Sequence, residues 1–316
     1  MFNQSLRNQE AFFGKIKNAF RILALPICSV VLLGSVAQST TGTSALEAGY
    51  RNVYNLQFDQ AHRAFAEWQG QHPDDPMGPV SDAAVYLFSE CDRLHILEAQ
   101  FVTDGKKTDK SSQLTPDPAV NAQFQAALEK TRTLSDAKLA KDPKDITAVF
   151  ARILMDDLHG DYLALVEDKE RDALKYLKQS RALAETLIAT NPDNYDAYLP
   201  IGVENYMTGL KSSAVGWLLR AGGAQTDKAT GMKNLKIVAE KGHYLAPFAQ
   251  VFLVIAALRD HNKPKALELM EALAQQFPYN HVYNHELAQL RWEAGSRVTV
   301  ANGAPASTGA VAQPGP

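Results

Sequence analysis

The stretch "PFAQVFLVIAALRDHNKPKALELMEALAQQFPYN", residues 247–280, contains two helical patterns joined by a short polar turn at 260–263. The first pattern is apolar on nearly all sides, which predicts a helix that is buried on several faces. The second is amphipathic, and Ala266 lies where the two helices should come closest, because a small side chain lets backbones approach. Pro278 has no N–H and cannot continue a helix, so it ends the unit. These residues therefore predict a helical hairpin.

The stretch "GTSALEAGYRNVYNLQFDQAHRAFAEWQGQHPDDP", residues 42–76, shows the same arrangement. When Ala61 is aligned with Ala266, Pro73 falls on Pro278, so that 12 residues separate the alanine from the proline in both stretches. Two hairpins with one internal spacing, far apart in the chain, indicate a repeated unit.

The first unit resembles the tetratricopeptide repeat (TPR), which has characteristic residues at five positions. The unit fills all five with Gly49, Phe58, Ala61, Phe65 and Pro73. The later unit keeps Ala266 and Pro278 and has Val254, Lys263 and Met270 at the other three. The resemblance implies an all-α fold, a TPR-like solenoid of stacked antiparallel helical hairpins, over residues 42–295. Residues 190–295 also resemble a group of exported bacterial TPR proteins.

The middle of the chain departs from a regular period. Pro143 and Pro192 each follow an apolar helical pattern and are predicted to end a helix. Residues 103–118 are polar without periodicity and predict a loop. Residues 209–227, "GLKSSAVGWLLRAGGAQTD", combine four glycines with an apolar centre, so we expect this segment to fold back over the concave face of the solenoid.

The composition fits this fold class. Hydrophobic residues make up 46% of the chain and charged residues 21%, as in ordinary globular proteins, and runs of alternating β-branched residues are nearly absent. The net charge of −3 gives no basic surface, so a nucleic-acid partner is not expected.

The two ends of the chain predict segments outside the fold. Basic residues precede an apolar run at 22–36, and Ser35-Val36-Ala37 offers a cleavage site, so residues 1–37 are predicted to be a signal peptide. Export to the periplasm follows, with retention as an inner-membrane anchor through residues 22–36, facing the periplasm, as the alternative. No later stretch predicts a membrane span. Residues 296–316 are rich in Ala, Gly and Pro and predict a disordered tail.

Three clusters could support chemistry, and each also has a structural explanation. His281 and His285 are four residues apart on one helix face, a spacing that suits a shared metal, but Gln289 stands where a metalloprotease-type motif would have a further His. The stretch "DDLHGDY", residues 156–162, gathers acidic groups that a solvated helix end would also carry. Cys91 and His95 could form an activated thiol, or Cys91 could be a small buried residue. No cofactor is expected, and we predict that the chain is not an enzyme.

A solenoid presents a concave groove that suits extended peptides or partner helices. Aromatic residues near this groove are the binding candidates, with packing in the core as the alternative: Tyr195, Tyr198, Tyr206 and Trp217. Two functions stay open at this point. One is a scaffold that binds protein or peptide partners, in the assembly of an envelope complex for example. The other is a small-molecule, lipid or metal-dependent activity in a pocket under the 209–227 loop. An open groove favours the first, and an enclosed apolar pocket with converging polar groups favours the second.

Overall fold

The computed structural model describes residues 44–99, 115–209 and 227–302, all within the unit Thr43–Pro316. Side chains are described for 44–98, 115–207 and 227–294. The predicted signal peptide, most of the two insertions at 103–118 and 209–227, and residues 303–316 lie outside the described part of the chain. The last helix reaches Asn302, so its backbone extends into the range predicted as a tail. No proline precedes Pro305 in this range, so no residue there forces the helix to stop.

The described residues are all-α, as predicted, and contain no strand. The α-helices are α1 (Ala45–Tyr54), α2 (Phe58–Gln71), α3 (Met77–Arg93), α4 (Ile96–Ala99), α5 (Pro118–Leu139), α6 (Ile146–Asp161), α7 (Glu170–Thr190), α8 (Tyr198–Gly209), α9 (Lys228–Lys241), α10 (Ala246–Arg259), α11 (Lys263–Gln276) and α12 (His281–Asn302). A π-helix, Tyr162–Val166, continues α6, and a 3-10 turn, Tyr195–Ala197, precedes α8. Among the described helices, none is both long enough and apolar enough to cross a bilayer.

The prolines predicted to end helices lie in four turns of one kind. These are Pro73, Pro143, Pro192 and Pro278. In each turn, the carbonyl of the residue before the proline accepts a hydrogen bond of 3.0–3.1 Å from the backbone N–H two positions after the proline. That donor residue is Asp or Asn every time, and Asp145 and Asn280 also cap the following helix with their side chains. The predicted helix ends at these prolines are confirmed.

The hairpins α1–α2 and α10–α11 share one backbone register. Their second helices both have 14 residues, with Ala61 and Ala266 at the fourth position, and both alanines are fully buried. Leu56 and His261 stand at equivalent places in the two connecting turns, with φ of 57° and 55°. In each hairpin the proline lies two residues beyond the end of the second helix.

Apart from the short α4, each helix packs against the next one along the chain. We call α1, α3, α6, α8 and α10 the first helices and α2, α5, α7, α9 and α11 the second helices, in hairpin order. First helices also pack on one another, α1 on α3 and α3 on α6. The two ends of the described array meet, because Asn280 Nδ2 donates a buried hydrogen bond of 2.9 Å to the carbonyl of Tyr54. The rings of Tyr54 and Phe277 belong to the same contact, with centroids 5.4 Å apart and planes tilted by 45°.

Candidate functional site

An apolar cavity of about 320 Å³ lies among the first helices. All five first helices contribute to its described wall, through residues such as Tyr50, Ala84, Leu158, Val203 and Phe252. Of the second helices, only α7 contributes a described lining residue, Leu177. The wall is therefore the face that the first helices turn away from their hairpin partners.

The cavity wall is mainly aliphatic and aromatic. The rings of Phe88 on α3 and Phe248 on α10 both line it and meet edge to face, with centroids 5.9 Å apart. Leu165, in the π-helix, lines the cavity and has 42% of its surface accessible. Such a side chain offers apolar contact area to a molecule in the cavity.

Four charged side chains also line the cavity: Asp157, Asp161, Glu204 and Arg259. Asp157 and Asp161 are four residues apart on α6 and so share one helix face. Burial raises the pKa of Asp157 well above its ordinary value, and burial raises the pKa of Asp161 to about 7. Asp161 has no hydrogen-bond or ion-pair partner among the described residues.

Glu204 is different because it has a counter-ion. Arg181 Nη1 on α7 lies 2.9 Å from Glu204 Oε1. Burial raises the pKa of Glu204, and the Arg181 guanidinium opposes that shift. The polar groups of the cavity thus comprise one ion pair, one arginine and two carboxyl groups that no described cation neutralises.

A solvated helix end, the structural explanation of the acidic stretch at 156–162, does not fit the position of these residues in the fold. Asp156 is only 5% exposed, and burial raises its pKa to about 6. His159 stacks on Tyr176 of α7, with ring centroids 4.0 Å apart. The π-helix extends α6 beyond Asp161, so these residues face packed elements instead of solvent.

The aromatic candidates predicted from the sequence do not line the cavity. Tyr206 is fully buried in the core around α8 and α9, so it is not a surface residue of a groove. The hydroxyl of Tyr195 donates to Asp193, and that of Tyr198 donates to the carbonyl of Pro192. Trp217 lies outside the described residues. On α8 the residues that reach the cavity include Leu199, Val203 and Met207.

The two other clusters predicted to support chemistry, Cys91 with His95 and His281 with His285, do not form in the structure. Because α3 ends at Arg93, His95 lies beyond it with φ of 57° and does not share a helical face with Cys91. Cys91 is buried, and burial raises the pKa of its thiol, which makes it unreactive. His281 lies beside Asp92 and Glu98, and the exposed His285 does not join this group.

The carboxyl of Asp161 should make stability depend on pH. Its folded pKa is raised, so its favourable contribution is present at low pH and is lost as the pH rises from about 4 to about 7. Asp157, Glu204 and Arg259 face the same cavity, and all three are present in the wild type and in Asp161→Asn alike. The asparagine of Asp161→Asn cannot ionise, so this variant does not lose stability from position 161 as the pH rises. Its free energy of unfolding relative to wild type should therefore increase by about 2 kcal/mol between roughly pH 5 and pH 8.

Urea denaturation across this pH range measures that difference. Asp172→Asn, at an exposed position of α7, is the matched control and should show less than about 0.5 kcal/mol of change. A gain for Asp161→Asn that does not vary with pH would mean that Asp161 is solvated in the folded chain.

Comparison of the chain with protein-family models, with curated proteins and with solved structures gives no match.

Proposed function

We propose that this chain is a non-enzymatic binding protein, built from TPR-like hairpins stacked as a solenoid, and that its inner cavity holds a small, mostly apolar molecule. The observation that carries this proposal is the origin of the cavity wall. Five first helices from separate hairpins all reach one apolar space of about 320 Å³. Small-molecule sites are typically apolar concavities of about 300–1,000 Å³ with a few polar groups, which matches this cavity.

The TPR-like part of the proposal is supported by the shared register of α1–α2 and α10–α11. Gly49 provides a further argument, because a Cβ built there would lie 2.2 Å from the Phe65 ring. Only a glycine therefore fits where α1 approaches that aromatic side chain of α2. Gly49 and Phe65 are two of the residues that carry the resemblance.

The polar groups of the cavity restrict the ligand. An acidic ligand would fit beside Asp157 and Asp161 only while both carboxyls stay protonated, because ionised carboxylates in an apolar space repel it, and Arg259 is the one cation on the described wall that could pair with it. A neutral molecule, or one with a hydrogen-bond donor that reaches Asp161, fits better, because that carboxyl has no described partner.

We also propose that the protein is exported to the periplasm, on the pattern of residues 1–37 alone. The intact mass of protein recovered from its host distinguishes cleavage from retention of the segment as an inner-membrane anchor.

A scaffold for a protein or peptide partner, in envelope complex assembly for example, is the second candidate. It is favoured by the fact that the cavity wall belongs to the first helices, the surface that stacked hairpins present to a peptide. In this case apolar side chains of the partner would fill the cavity.

The test is a fluorescence titration with N-phenyl-1-naphthylamine, a neutral apolar probe. Ala164 and Val203 line the cavity from different elements, so phenylalanine at either position should fill it. We expect Ala164→Phe and Val203→Phe each to weaken probe binding by at least about tenfold, close to 1.4 kcal/mol. Ala182→Phe, at an exposed position of α7 outside the cavity, should leave the affinity within about twofold.

Circular dichroism identifies which variants are folded. Because phenylalanine is placed at two different positions, the test remains possible if one of the two variants does not fold. If both folded variants bind the probe as tightly as Ala182→Phe, the cavity is not the binding site. Saturable probe binding that a partner protein displaces would favour the scaffold function instead.

A further inference from the structure

A second group of polar side chains lies where the two ends of the helical array meet. Asp92 is near the end of α3, Glu98 is in α4, and His281 is the first residue of α12. One donor atom from each lies within 4.8 Å of the other two. His281 is far from Asp92 and Glu98 in the chain, so this grouping depends on the packing of α12 beside α3 and α4.

One carboxylate oxygen in this group lacks a hydrogen bond, and a second has only a histidine beside it. Glu98 Oε2 is buried and accepts no hydrogen bond among the described residues. Asp92 Oδ1 is also buried, and its described partner is His281 Nε2, 3.0 Å away. A buried carboxylate oxygen without a partner is costly, so such atoms call for a ligand that supplies positive charge.

The electrostatic surroundings also lack a cation. The described ion pairs of these two carboxylates are with histidines only. Asp92 pairs with His281, and Glu98 pairs with His95 at 3.5 Å. No described lysine or arginine pairs with Asp92 or Glu98.

We propose that Asp92, Glu98 and His281 bind a divalent transition-metal cation, for which Zn²⁺ is the best match. One imidazole and two carboxylates are ligands that Zn²⁺ accepts, whereas Ca²⁺ and Mg²⁺ prefer oxygen ligands alone. The bound cation would join α3 and α4 to α12 and so hold the two ends of the array together. This site is separate from the cavity, and its test does not depend on the function proposed for the cavity.

The test is isothermal titration of the purified chain with ZnCl₂, followed by thermal unfolding with and without the metal. We expect one Zn²⁺ per chain and a melting temperature that rises when Zn²⁺ is present. His281→Ala and Glu98→Gln should each weaken Zn²⁺ binding by at least about tenfold, since even outer-shell partners of a metal contribute that much.

His285→Ala is the matched control, because His285 is an exposed histidine one turn further along the same helix. It should change the affinity by less than about twofold. The side chain of His281 is 59% exposed, so its removal should leave the fold intact, which circular dichroism verifies. Equal affinities for His281→Ala and His285→Ala would overturn the proposal, as would the absence of saturable binding or a preference for Ca²⁺ over Zn²⁺.

Discussion

Replacing Asp196 with alanine is expected to lower the free energy of unfolding by about 3–5 kcal/mol, since it leaves three partly buried backbone N–H groups without their acceptor. Asp196 is 5% exposed and accepts backbone hydrogen bonds from His243, Tyr244 and Leu245, at 2.9–3.1 Å. These three N–H groups belong to the segment that leads into α10. One carboxylate therefore fixes the path of the chain between two hairpins.

Urea denaturation of Asp196→Ala, with Asp196→Asn as the conservative variant, measures this effect. The asparagine keeps one acceptor oxygen, so its loss should be about half that of the alanine variant. Asp193→Ala, three residues earlier and exposed, is the control and should lose less than about 0.5 kcal/mol. A loss below about 1 kcal/mol for Asp196→Ala would mean that water replaces the carboxylate at little cost.

Gly231→Ala is expected to destabilise the chain by about 3 kcal/mol, at the upper end of ordinary overpacking. A Cβ at this position would lie 2.5 Å from the backbone nitrogen of Tyr206 and 3.0 Å from the carbonyl oxygen of Gly202. Both atoms belong to the backbone of α8, so the clash cannot be relieved by rotating a side chain. The two helices would have to move apart.

Gly70→Ala provides the matched control for this measurement. Gly70 is also helical, but a Cβ there would meet no atom within 4 Å. Because alanine is the better helix former, this variant should gain up to about 0.5–1 kcal/mol. If Gly231→Ala were as stable as wild type, α8 and α9 would not be in the close contact described.

Helix ends could be predicted from the sequence because their causes are local. A proline ends a helix through its own ring and its missing N–H, whatever surrounds it. The turns at Pro73 and Pro278 therefore lie where the sequence predicts them. The alanines at the hairpin contacts follow from the same local spacing.

The cavity could not be predicted, because it depends on which helix faces meet. The acidic groups at 156–161 read equally well as a solvated helix end until α7 and the π-helix are placed against α6. Asp196 gives no sequence signal for its role, since its backbone partners are 47–49 residues away. Tyr206 has a spacing that suits either a groove or a core, and packing against α9 decides for the core.

A crystal structure of the chain soaked with N-phenyl-1-naphthylamine tests the central claim most directly. We expect one probe molecule inside the cavity, with its rings in contact with Phe88 and Phe248 and its N–H directed to a carboxyl group of α6. A cavity filled by the chain's own side chains, with the probe bound only at the outer surface, would contradict it.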